Sequence, residues 1–234
     1  MNNVIVVAPH PDDETLGCGG TIAKKIHEGC EVFVIYMTDG RYALTEIGEK
    51  EALDPLDMKE LRKKDALKAA EILGLKERNL FFLEIEDKNL KAYKDYARKI
   101  VLRILKDVNP SELYLPQRKE YNLDHRMTHI IVKEALRNGR FNLAEYQYAI
   151  AWVFPFYLLY HLLNERIFDL IVCNALKCNL IQVNISRYLP IKERAVQAYQ
   201  SQLLRLSNKQ QKAPLKQSFI SRFLKNYEKF FVKM

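Results

Sequence analysis

The feature that most constrains the fold is an alternation of short apolar segments with single helix-like segments over the first 140 residues. Residues 4–8 and 32–36 are short β-branched runs, which are typical of buried strands. Between them, residues 15–28 have a helical pattern, and Gly29 follows as a helix-terminating residue. Strands separated by single helices pair in parallel through right-handed crossovers. The sequence therefore predicts an α/β fold, layered around a mostly parallel central sheet flanked by helices.

The pattern continues to about Gly139 and then changes. The next predicted elements are a helix over 57–74, a strand over 80–83, a helix over 93–108 and a strand over 113–115. Beyond Gly139 the candidates are strands over 145–154 and 180–185 and helices over 157–168 and 192–206. We expect this C-terminal part to add strands and helices, with antiparallel or irregular pairing at that end of the sheet.

A cluster of ionisable residues follows the first predicted strand. Residues 10–14 read His-Pro-Asp-Asp-Glu, at the carboxyl end of a strand, where open α/β sheets bind ligands. Adjacent carboxylates repel each other and persist where a cation or a proton offsets the repulsion. One Asp could simply cap the helix that begins at Thr15, but capping explains neither His10 nor the second carboxylate. The cluster therefore indicates a functional site.

A second imidazole, that of His125, follows another predicted strand and lies at the start of another helix. His10, Asp13 and His125 would supply two nitrogen ligands and one oxygen ligand, which leaves one position of a tetrahedral zinc open for water. His129 lies four residues after His125, but the two do not form a zincin motif. That motif requires Glu directly after its first histidine, and this chain has Arg126 there. The remaining imidazoles are expected to be packed or surface side chains: His27, His129 and His161.

Residues 8–14 (Ala-Pro-His-Pro-Asp-Asp-Glu) resemble the signature of the LmbE-like, or PIG-L, family of zinc-dependent N-deacetylases. Further matches follow in the family's order across residues 3–203: Thr38-Asp39-Gly40, Arg62, Ile72-Leu73-Gly74, Phe82-Leu83, Asp87, Pro110, Asn122-x-Asp124-His125-Arg126, Asn184-Ile185-Ser186 and Tyr199-x-Ser201-Gln202. The first motif is specific when it follows a strand and is accompanied by the later Asp-His pair.

The resemblance implies a Rossmann-like sheet and removal of acetyl groups from N-acetylated amino sugars or related glycoconjugates. It implies that His10, Asp13 and His125 bind zinc and that Asp12 is the general base. Some members have a second histidine where this chain has Asn122. An amide can donate a hydrogen bond but cannot transfer a proton, so Asn122 is expected to orient or stabilise the reacting groups.

Arg62 and Asp124 are the candidate substrate-binding residues. The resemblance leaves three interpretations of Arg62 open: contact with a substrate anion, pairing with an acid of the active site, or a surface ion pair. Asp124 belongs to the second motif of the resemblance, directly before His125.

The net charge of +8, from 37 basic and 29 acidic residues, lies almost entirely in the last 30 residues. A nucleic-acid-binding domain usually spreads basic side chains over its fold, so no nucleic-acid partner is expected. If residues 218–233 are helical, their apolar side chains fall on one face and their basic side chains on the other. Two interpretations follow: a helix docked on the protein body, or peripheral contact with an anionic membrane.

The chain is expected to be cytoplasmic, or membrane-peripheral through 218–233, because it begins without a basic segment followed by a long apolar one. We divide it into a deacetylase domain over 1–206 and a basic amphipathic extension over 207–234. The four cysteines have no metal-binding spacing and are interpreted as free thiols. The aromatic run 152–157 is either a contact surface or part of the core. The oligomeric state is left open.

The function predicted from the sequence is zinc-dependent hydrolysis of an acetyl group from an N-acetylated sugar or glycoconjugate. Two alternatives remain. One is a phosphoester hydrolase that uses Asp12 and Asp13 with Mg²⁺, although imidazole ligands favour zinc or a similar transition metal. The other is a non-catalytic carbohydrate-binding relative that keeps the fold.

Overall fold

The structure is a computed structural model that describes residues 2–49, 51–151, 159 and 162–233. Its strands are β1 (Asn3–Ala8), β2 (Glu31–Thr38), β3 (Leu80–Ile85), β4 (Glu112–Pro116), β5 (Ala144–Tyr148), β6 (Cys178–Asn184) and β7 (Tyr227–Lys233). Its described helices are α1 (Asp13–His27), α2 (Ala43–Glu46), α3 (Pro55–Leu73), α4 (Lys94–Val108), α5 (Leu123–Asn138), α6 (Glu165–Leu176), α7 (Leu189–Ala198), α8 (Gln200–Leu203) and α9 (Gln217–Ile220).

The strands form one seven-stranded sheet in the order β3-β2-β1-β4-β5-β7-β6. The first five strands pair in parallel, and β7 pairs antiparallel with both β5 and β6. This confirms the predicted mostly parallel α/β sheet and the change of pairing at its C-terminal end. The strand order reverses direction between β1 and β4, which is where open α/β sheets form a ligand crevice.

The alternation of side chains along β1 explains why helices cover both faces of the sheet. Val4, Val6 and Ala8 point into a core that includes residues of α1, α3 and α7. Ile5 and Val7 point into a second core with residues of α4 and α5. A strand buried on both faces reads as a continuous apolar run, as the parallel strands of α/β proteins do.

The bounds of α3 follow from local sequence. The side chain of Asp54 accepts a hydrogen bond from the backbone N–H of Leu56, and Pro55 occupies the first turn. Gly74 ends the helix with φ 87°, a left-handed conformation that glycine adopts without a steric penalty. The predicted helix over 57–74 is thus confirmed, with its start moved to the capped position.

The predicted helix over 218–233 is wrong. Only Gln217–Ile220 are helical, and Tyr227–Lys233 form β7 in the interior of the sheet. Phe230 and Phe231 are both buried, but they belong to different cores on opposite faces of the strand. The helical spacing of aromatic residues was ambiguous over this short segment, and pairing with β5 and β6 decided the outcome. The amphipathic helix on which the membrane-contact interpretation depended is absent from these described residues.

Other predictions in the C-terminal part are corrected in their bounds. Of the helix expected over 157–168, Leu159 and Leu162 are helical, and residues 157, 158, 160 and 161 lie outside the described residues. A separate helix follows from Glu165 to Leu176, and the side chain of Asn164 caps it by accepting a hydrogen bond from the N–H of Ile167. The helix expected over 192–206 is divided into α7 and α8. The strand expected over 145–154 is described as Ala144–Tyr148. The aromatic run 152–157 and His161 lie outside the described residues.

A buried ion pair connects β7 to the N-terminal half of the chain. The Nζ atom of Lys192, on α7, lies 2.6 Å from Oε1 of Glu228 and 2.8 Å from the carbonyl oxygen of Leu16. The carboxylate of Glu228 also accepts hydrogen bonds from the backbone N–H groups of Gly20 and Thr21, at 2.9 and 2.8 Å. The last strand is therefore joined to α1, the helix that begins at Asp13.

All four cysteines are free thiols, as predicted. Within the described residues, no helix combines the length and the apolar character that crossing a membrane requires.

Candidate metal centre

A cavity of about 200 Å³ opens at the carboxyl ends of β1 and β4, the two strands between which the sheet order reverses. His10 follows β1 by two residues, and His125 lies in the first turn of α5, after β4. Both imidazoles line the cavity, as do the carboxyl groups of Asp12 and Asp13. The fold thus brings together two segments that are 115 residues apart in sequence.

Three possible ligand atoms form an equilateral triangle in this cavity. His10 Nδ1 and Asp13 Oδ2 are 3.2 Å apart, His125 Nε2 and Asp13 Oδ2 are 3.2 Å apart, and the two imidazole nitrogens are also 3.2 Å apart. All three residues are buried. Together they form one of the two groups of described side chains close enough to hold a metal ion.

The dimensions of this triangle fit a tetrahedral transition-metal ion. Bonds of about 2.0–2.1 Å to nitrogen and oxygen place neighbouring ligand atoms of a tetrahedron about 3.3–3.4 Å apart. The three observed separations are within about 0.2 Å of that edge length. Two imidazoles with a single carboxylate favour zinc or a related metal over Mg²⁺ or Ca²⁺, which prefer oxygen ligands.

The second group of possible ligands consists of His10, Asp87 and Asp124. It uses the other nitrogen of the same imidazole, since His10 Nε2 lies 3.3 Å from Asp87 Oδ1 and 3.6 Å from Asp124 Oδ2. A histidine that binds metal through one nitrogen commonly donates its other N–H to a carboxylate, which fixes the ring orientation and tautomer. Asp87 and Asp124 have the geometry of such outer partners of His10 Nε2. His10 Nδ1 then remains available as one of the three ligand atoms of the triangle.

Both outer carboxylates are held in place by backbone N–H groups. Asp87 accepts a hydrogen bond from the N–H of Tyr42 at 3.0 Å, and Asp124 accepts one from the N–H of Lys88 at 2.6 Å. Asp124 is thus buried against His10, while Arg62, the other candidate substrate-binding residue, lines the cavity.

Glu120 lies beside the imidazole of His125, as Asp87 and Asp124 lie beside that of His10. Its Oε2 atom lies 3.7 Å from His125 Nδ1, and its two oxygens accept hydrogen bonds from the N–H groups of Ile150 and Ala151 at 2.6 and 2.8 Å. Glu120 is completely buried, and this burial raises its pKa to about 7 although the charge of His125 opposes the shift.

The electrostatics of the triangle favour a carboxylate between two cationic or metal-bound imidazoles. Burial alone would raise the pKa of Asp13, but the neighbouring imidazoles of His125 and His10 hold it far below its usual range. Burial would likewise lower the pKa of His10, yet hydrogen bonds to Asp124, Asp13 and Asp87 raise it well above its ordinary value. In the absence of an ion, protons on the imidazoles therefore balance the carboxylates.

Asp12 lies beside the triangle and is held by a buried guanidinium. Arg62 Nη2, on α3, is 2.9 Å from Asp12 Oδ1 and also donates to the carbonyl of Pro11, while Nη1 donates to the carbonyl of Gly40 at 3.3 Å. Arg62 is only 4% exposed, so of the three interpretations of this residue the surface ion pair is wrong. The backbone N–H of Asp12 donates to Glu14 Oε2 at 3.2 Å.

The environment of Asp12 gives it the properties of a base that works near neutral pH. Its φ angle is 136°, a conformation that non-glycine residues rarely adopt and that clusters at functional sites. Burial raises its pKa to about 7, with the charge of Arg62 acting in the opposite direction. A carboxyl group with such a pKa can both accept and release a proton under physiological conditions.

Asn122 is placed at the rim of the cavity and caps α5. Its Oδ1 atom accepts a hydrogen bond from the N–H of Asp124 at 2.7 Å, so the side-chain NH₂ is the group that it can offer to a ligand. His129, one turn further along α5, points elsewhere, since its Nδ1 atom lies 2.9 Å from the carbonyl oxygen of Pro116. This agrees with its interpretation as a packed residue.

Sequence reasoning did not assign roles to Asp87 and Glu120, although Asp87 was part of the family resemblance. Both residues follow the carboxyl end of a parallel strand, β3 for Asp87 and β4 for Glu120. That position is the signal that could have identified them, because all parallel strands deliver their following loops to the same edge of the sheet.

Comparisons with known proteins identify the family of the chain. A family model described as PIG-L: GlcNAc-PI de-N-acetylase matches residues 5–136. The chain is 30% identical over 142 residues to the diacetylchitobiose deacetylase of Thermococcus kodakarensis, which covers 58% of this chain and 49% of that protein. It is 32% identical over 112 residues to a probable N-acetyl-alpha-D-glucosaminyl L-malate deacetylase 2 of Bacillus cereus, covering 47% of this chain and 50% of that protein. The chain thus matches about half the length of these curated relatives.

A solved structure supports the fold. The N,N'-diacetylchitobiose deacetylase from Pyrococcus horikoshii aligns with a TM-score of 0.66 and 23% identity, covering 87% of this chain and 71% of that one. The family match spans β1 to α5 and includes every residue of the triangle and its outer carboxylates. On these grounds, the chain belongs to the PIG-L family of GlcNAc-PI de-N-acetylase-like proteins.

Proposed function

We propose that this protein is a zinc-dependent N-deacetylase that hydrolyses the acetamide of an N-acetylated amino sugar or glycoconjugate. The observation that carries the proposal is the triangle of His10 Nδ1, Asp13 Oδ2 and His125 Nε2, with the carboxyl group of Asp12 beside it. The deacetylases among its relatives support the reaction class.

His10, Asp13 and His125 would hold the zinc ion. When bound, zinc lowers the pKa of a coordinated water and polarises the carbonyl group of the substrate. The chain's part is to keep this site oriented: Asp87 and Asp124 fix the ring of His10, and Glu120 fixes that of His125.

Asp12 is the proposed proton carrier. With a pKa raised to about 7 by burial, its carboxylate accepts a proton from the attacking water and then gives it to the departing amine. Arg62 keeps this carboxylate in place and ionised, through the 2.9 Å contact between the two side chains. We therefore assign Arg62 and Asp124 positioning roles in place of the substrate contacts expected from sequence.

Asn122 is the proposed hydrogen-bond donor at the rim of the cavity. Its NH₂ group would stabilise the negative charge that develops on the acetyl oxygen or orient the acetamide. The alternative of a Mg²⁺-dependent phosphoester hydrolase has less support, because the triangle contains two imidazoles and one carboxylate.

The proposal is tested with the purified protein, its metal content and acetate release from N-acetylglucosamine and N,N'-diacetylchitobiose. We expect acetate release that a chelator abolishes and Zn²⁺ restores. The variant Asp12→Asn should bind zinc normally and lose at least about 100-fold in kcat, the usual contribution of a general base. Normal turnover by Asp12→Asn, or release of phosphate from phosphoesters without release of acetate, would contradict the proposal.

The metal ligands can be tested with a matched pair of histidine variants on α5. His125→Ala should lose zinc, whereas His129→Ala, one turn away on the same helix, should keep it because its imidazole faces the carbonyl of Pro116. Zinc content by atomic absorption distinguishes the two variants without reference to activity. Equal zinc content in both would remove His125 from the site.

A further inference from the structure

Glu14 is the acidic residue of the segment 10–14 that the proposed reaction does not use. It is completely buried, although it directly follows Asp12 and Asp13 near the carboxyl end of β1. Burying a carboxyl group is costly unless hydrogen bonds compensate it, so its partners indicate what it does. Three groups donate to its oxygens: the backbone N–H of Asp12 and the hydroxyl groups of Thr15 and Tyr199.

The bond from Asp12 fixes the start of α1. The backbone N–H of Asp12 lies 3.2 Å from Glu14 Oε2, and Asp12 occupies the N-cap position of the helix. In a capping box, a glutamate at the third helical position accepts the N–H of the N-cap residue. Here Glu14, the second helical residue, accepts it. Glu14 therefore holds the peptide group from which the side chain of Asp12 extends.

The side chain of Asp12 does not form the cap that its position would allow. An N-cap aspartate ordinarily has an extended backbone and accepts a hydrogen bond from an N–H of the first helical turn. Asp12 has a φ angle of 136° and a ψ angle of −27°, and its carboxylate makes no capping bond to the described residues of α1. It lies instead beside Arg62 and lines the cavity of the metal centre. Such a backbone conformation persists only where surrounding contacts determine it, and the bond to Glu14 is one of these contacts.

Tyr199 holds Glu14 from the C-terminal half of the chain. Its hydroxyl donates to Glu14 Oε1, across a separation of 185 residues. Tyr199 directly follows α7 and is 2% exposed, in the same core as Ala8 of β1. Its carbonyl oxygen accepts the N–H of Gln202, in α8, at 3.0 Å. The position of Glu14 is thus determined by the packing of α7 and α8 against the sheet as well as by local sequence.

Glu14 does not contact the proposed metal ion itself. Among the described residues it belongs to neither group of side chains close enough to hold a metal, and it does not line the cavity of the triangle. An effect of Glu14 on the reaction therefore has to pass through Asp12.

We propose that Glu14 and Tyr199 are positioning residues that keep Asp12 in its uncapped conformation, with its carboxylate directed towards the metal centre. The inference rests on the proposed function, because it concerns the residue assigned as the general base. Without the carboxylate of Glu14, Asp12 relaxes to the ordinary N-cap conformation and its side chain accepts an N–H of α1. Its carboxylate then leaves Arg62 and the cavity, so the loss appears in kcat and not in zinc binding.

Tyr199→Phe tests the outer part of this arrangement, because it removes one hydroxyl and keeps the ring. On the zinc-loaded protein, kcat for N,N'-diacetylchitobiose should fall about tenfold with KM and zinc content unchanged, since a small misplacement of a reacting group is costly. Tyr114→Phe is the matched control and should keep its kcat. Tyr114 is buried in the same core and donates to Glu112 at 2.9 Å, but this contact lies at the amino end of β4. An unchanged kcat in Tyr199→Phe, or equal losses in both variants, would overturn the inference.

Two variants of Glu14 separate its hydrogen bonds from its packing. Glu14→Gln keeps an oxygen that can accept the N–H of Asp12, whereas Glu14→Met has a similar length and no oxygen. We expect kcat to stay within about threefold of wild type in Glu14→Gln and to fall at least about tenfold in Glu14→Met. Because kcat is measured per zinc-loaded molecule, a loss of stability alone does not lower it. Equal kcat values in the two variants would contradict the positioning role.

A crystal structure of zinc-loaded Glu14→Met separates this inference from the proposed reaction. The φ angle of Asp12 should become negative, and its carboxylate should accept an N–H of α1 in place of the 2.9 Å contact with Arg62. That result would support the positioning role even if the wild-type protein released no acetate. An unmoved Asp12, combined with acetate release by the wild-type protein, would overturn the inference and leave the proposed function standing. If Glu14→Met does not fold, the comparison of Tyr199→Phe with Tyr114→Phe decides.

Discussion

The guanidinium of Arg62 lies 2.9 Å from the carboxylate of Asp12, and both side chains are removed from solvent. The pair connects α3 with the loop that begins the candidate metal centre. Its energetic importance comes from burial, since losing one partner would leave the other charge without compensation in the protein interior.

The variant Arg62→Gln should therefore be both less stable and less active. Removing the buried partner of a carboxylate typically costs about 3–5 kcal/mol of the free energy of unfolding. Because the charge of Arg62 lowers the pKa of Asp12, removal of this charge should raise that pKa. The acidic limb of the kcat/KM–pH profile should therefore shift to higher pH. Thermal unfolding and a pH–rate profile measure the two effects. Arg103→Gln, which removes an exposed guanidinium, is the control, and an unshifted acidic limb in Arg62→Gln would contradict the assigned role.

The stability of the metal-free protein should fall as the pH rises from about 5 to 8. Burial raises the pKa values of Asp12 and Glu120 to about 7, and carboxylate partners raise those of His10 and His125 against the effect of burial. A group whose pKa is raised on folding contributes stability below its unfolded pKa and loses it as the pH rises through the folded value. The lowered pKa of Asp13 changes the stability of the protein with pH only below about pH 4.

Zinc should reverse this dependence, because its ligands bind it in their deprotonated forms and binding releases protons. Melting temperatures between pH 5 and 8, with a chelator or with Zn²⁺, provide the measurement. A metal-free melting temperature that increases steadily to pH 8 would refute the assignment of raised pKa values in the site.

Gly40→Ala should destabilise the protein and impair the site, because it introduces both backbone strain and a clash with Arg62. A second glycine, Gly48, allows the two effects to be measured separately. Gly40 has a φ angle of 63°, and an added Cβ would lie 2.7 Å from the guanidinium carbon of Arg62. Gly48 has a φ angle of 80°, but an added Cβ would have nothing within 4 Å. Gly48→Ala therefore reports conformational strain alone, of about 1 kcal/mol.

The excess loss of stability and activity in Gly40→Ala measures the displacement of Arg62. Chemical denaturation and kcat/KM determine both quantities. If Gly40→Ala and Gly48→Ala lose the same stability and the same kcat/KM, the close approach of Arg62 to Gly40 does not contribute to stability or activity.

Glu228→Gln should destabilise the protein strongly, because Lys192 would remain as a buried charge without its partner. The expected loss is about 3–5 kcal/mol in the free energy of unfolding. The control is Glu28→Gln, which breaks the exposed ion pair with Lys24 and should cost less than about 1 kcal/mol. Urea denaturation measures both. A loss below 1 kcal/mol in Glu228→Gln would show that the connection between β7 and α1 contributes little.

The N-terminal part of the fold could be predicted from the sequence because its patterns are local and strong. The β-branched run that forms β1, the capped and glycine-terminated α3, and the His-Pro-Asp-Asp-Glu segment each carry their own signal. The convergence of His10 with His125 followed from the rule that parallel strands end at one edge of the sheet.

What could not be predicted depends on contacts between distant segments. Glu120 is held by the N–H groups of Ile150 and Ala151, which only the pairing of β4 with β5 brings within reach. The strand β7 was misassigned because Phe230 and Phe231 fit a helical face as well as two faces of a strand. The segment becomes a strand because it pairs between β5 and β6. No local sequence pattern encodes that long-range pairing.

The insertion of β7 between β5 and β6 has a consequence for how the chain reaches its native state. Tyr227–Lys233 pair with β6, which is more than 40 residues earlier, and with β5, which is about 80 residues earlier. Until this segment arrives, two strand edges with unpaired backbone groups face an open slot, a situation that invites association with other chains. Because pairing between such distant segments is slow, closure of the slot is expected to limit the rate of folding, and peptides that mimic residues 227–233 should compete with it.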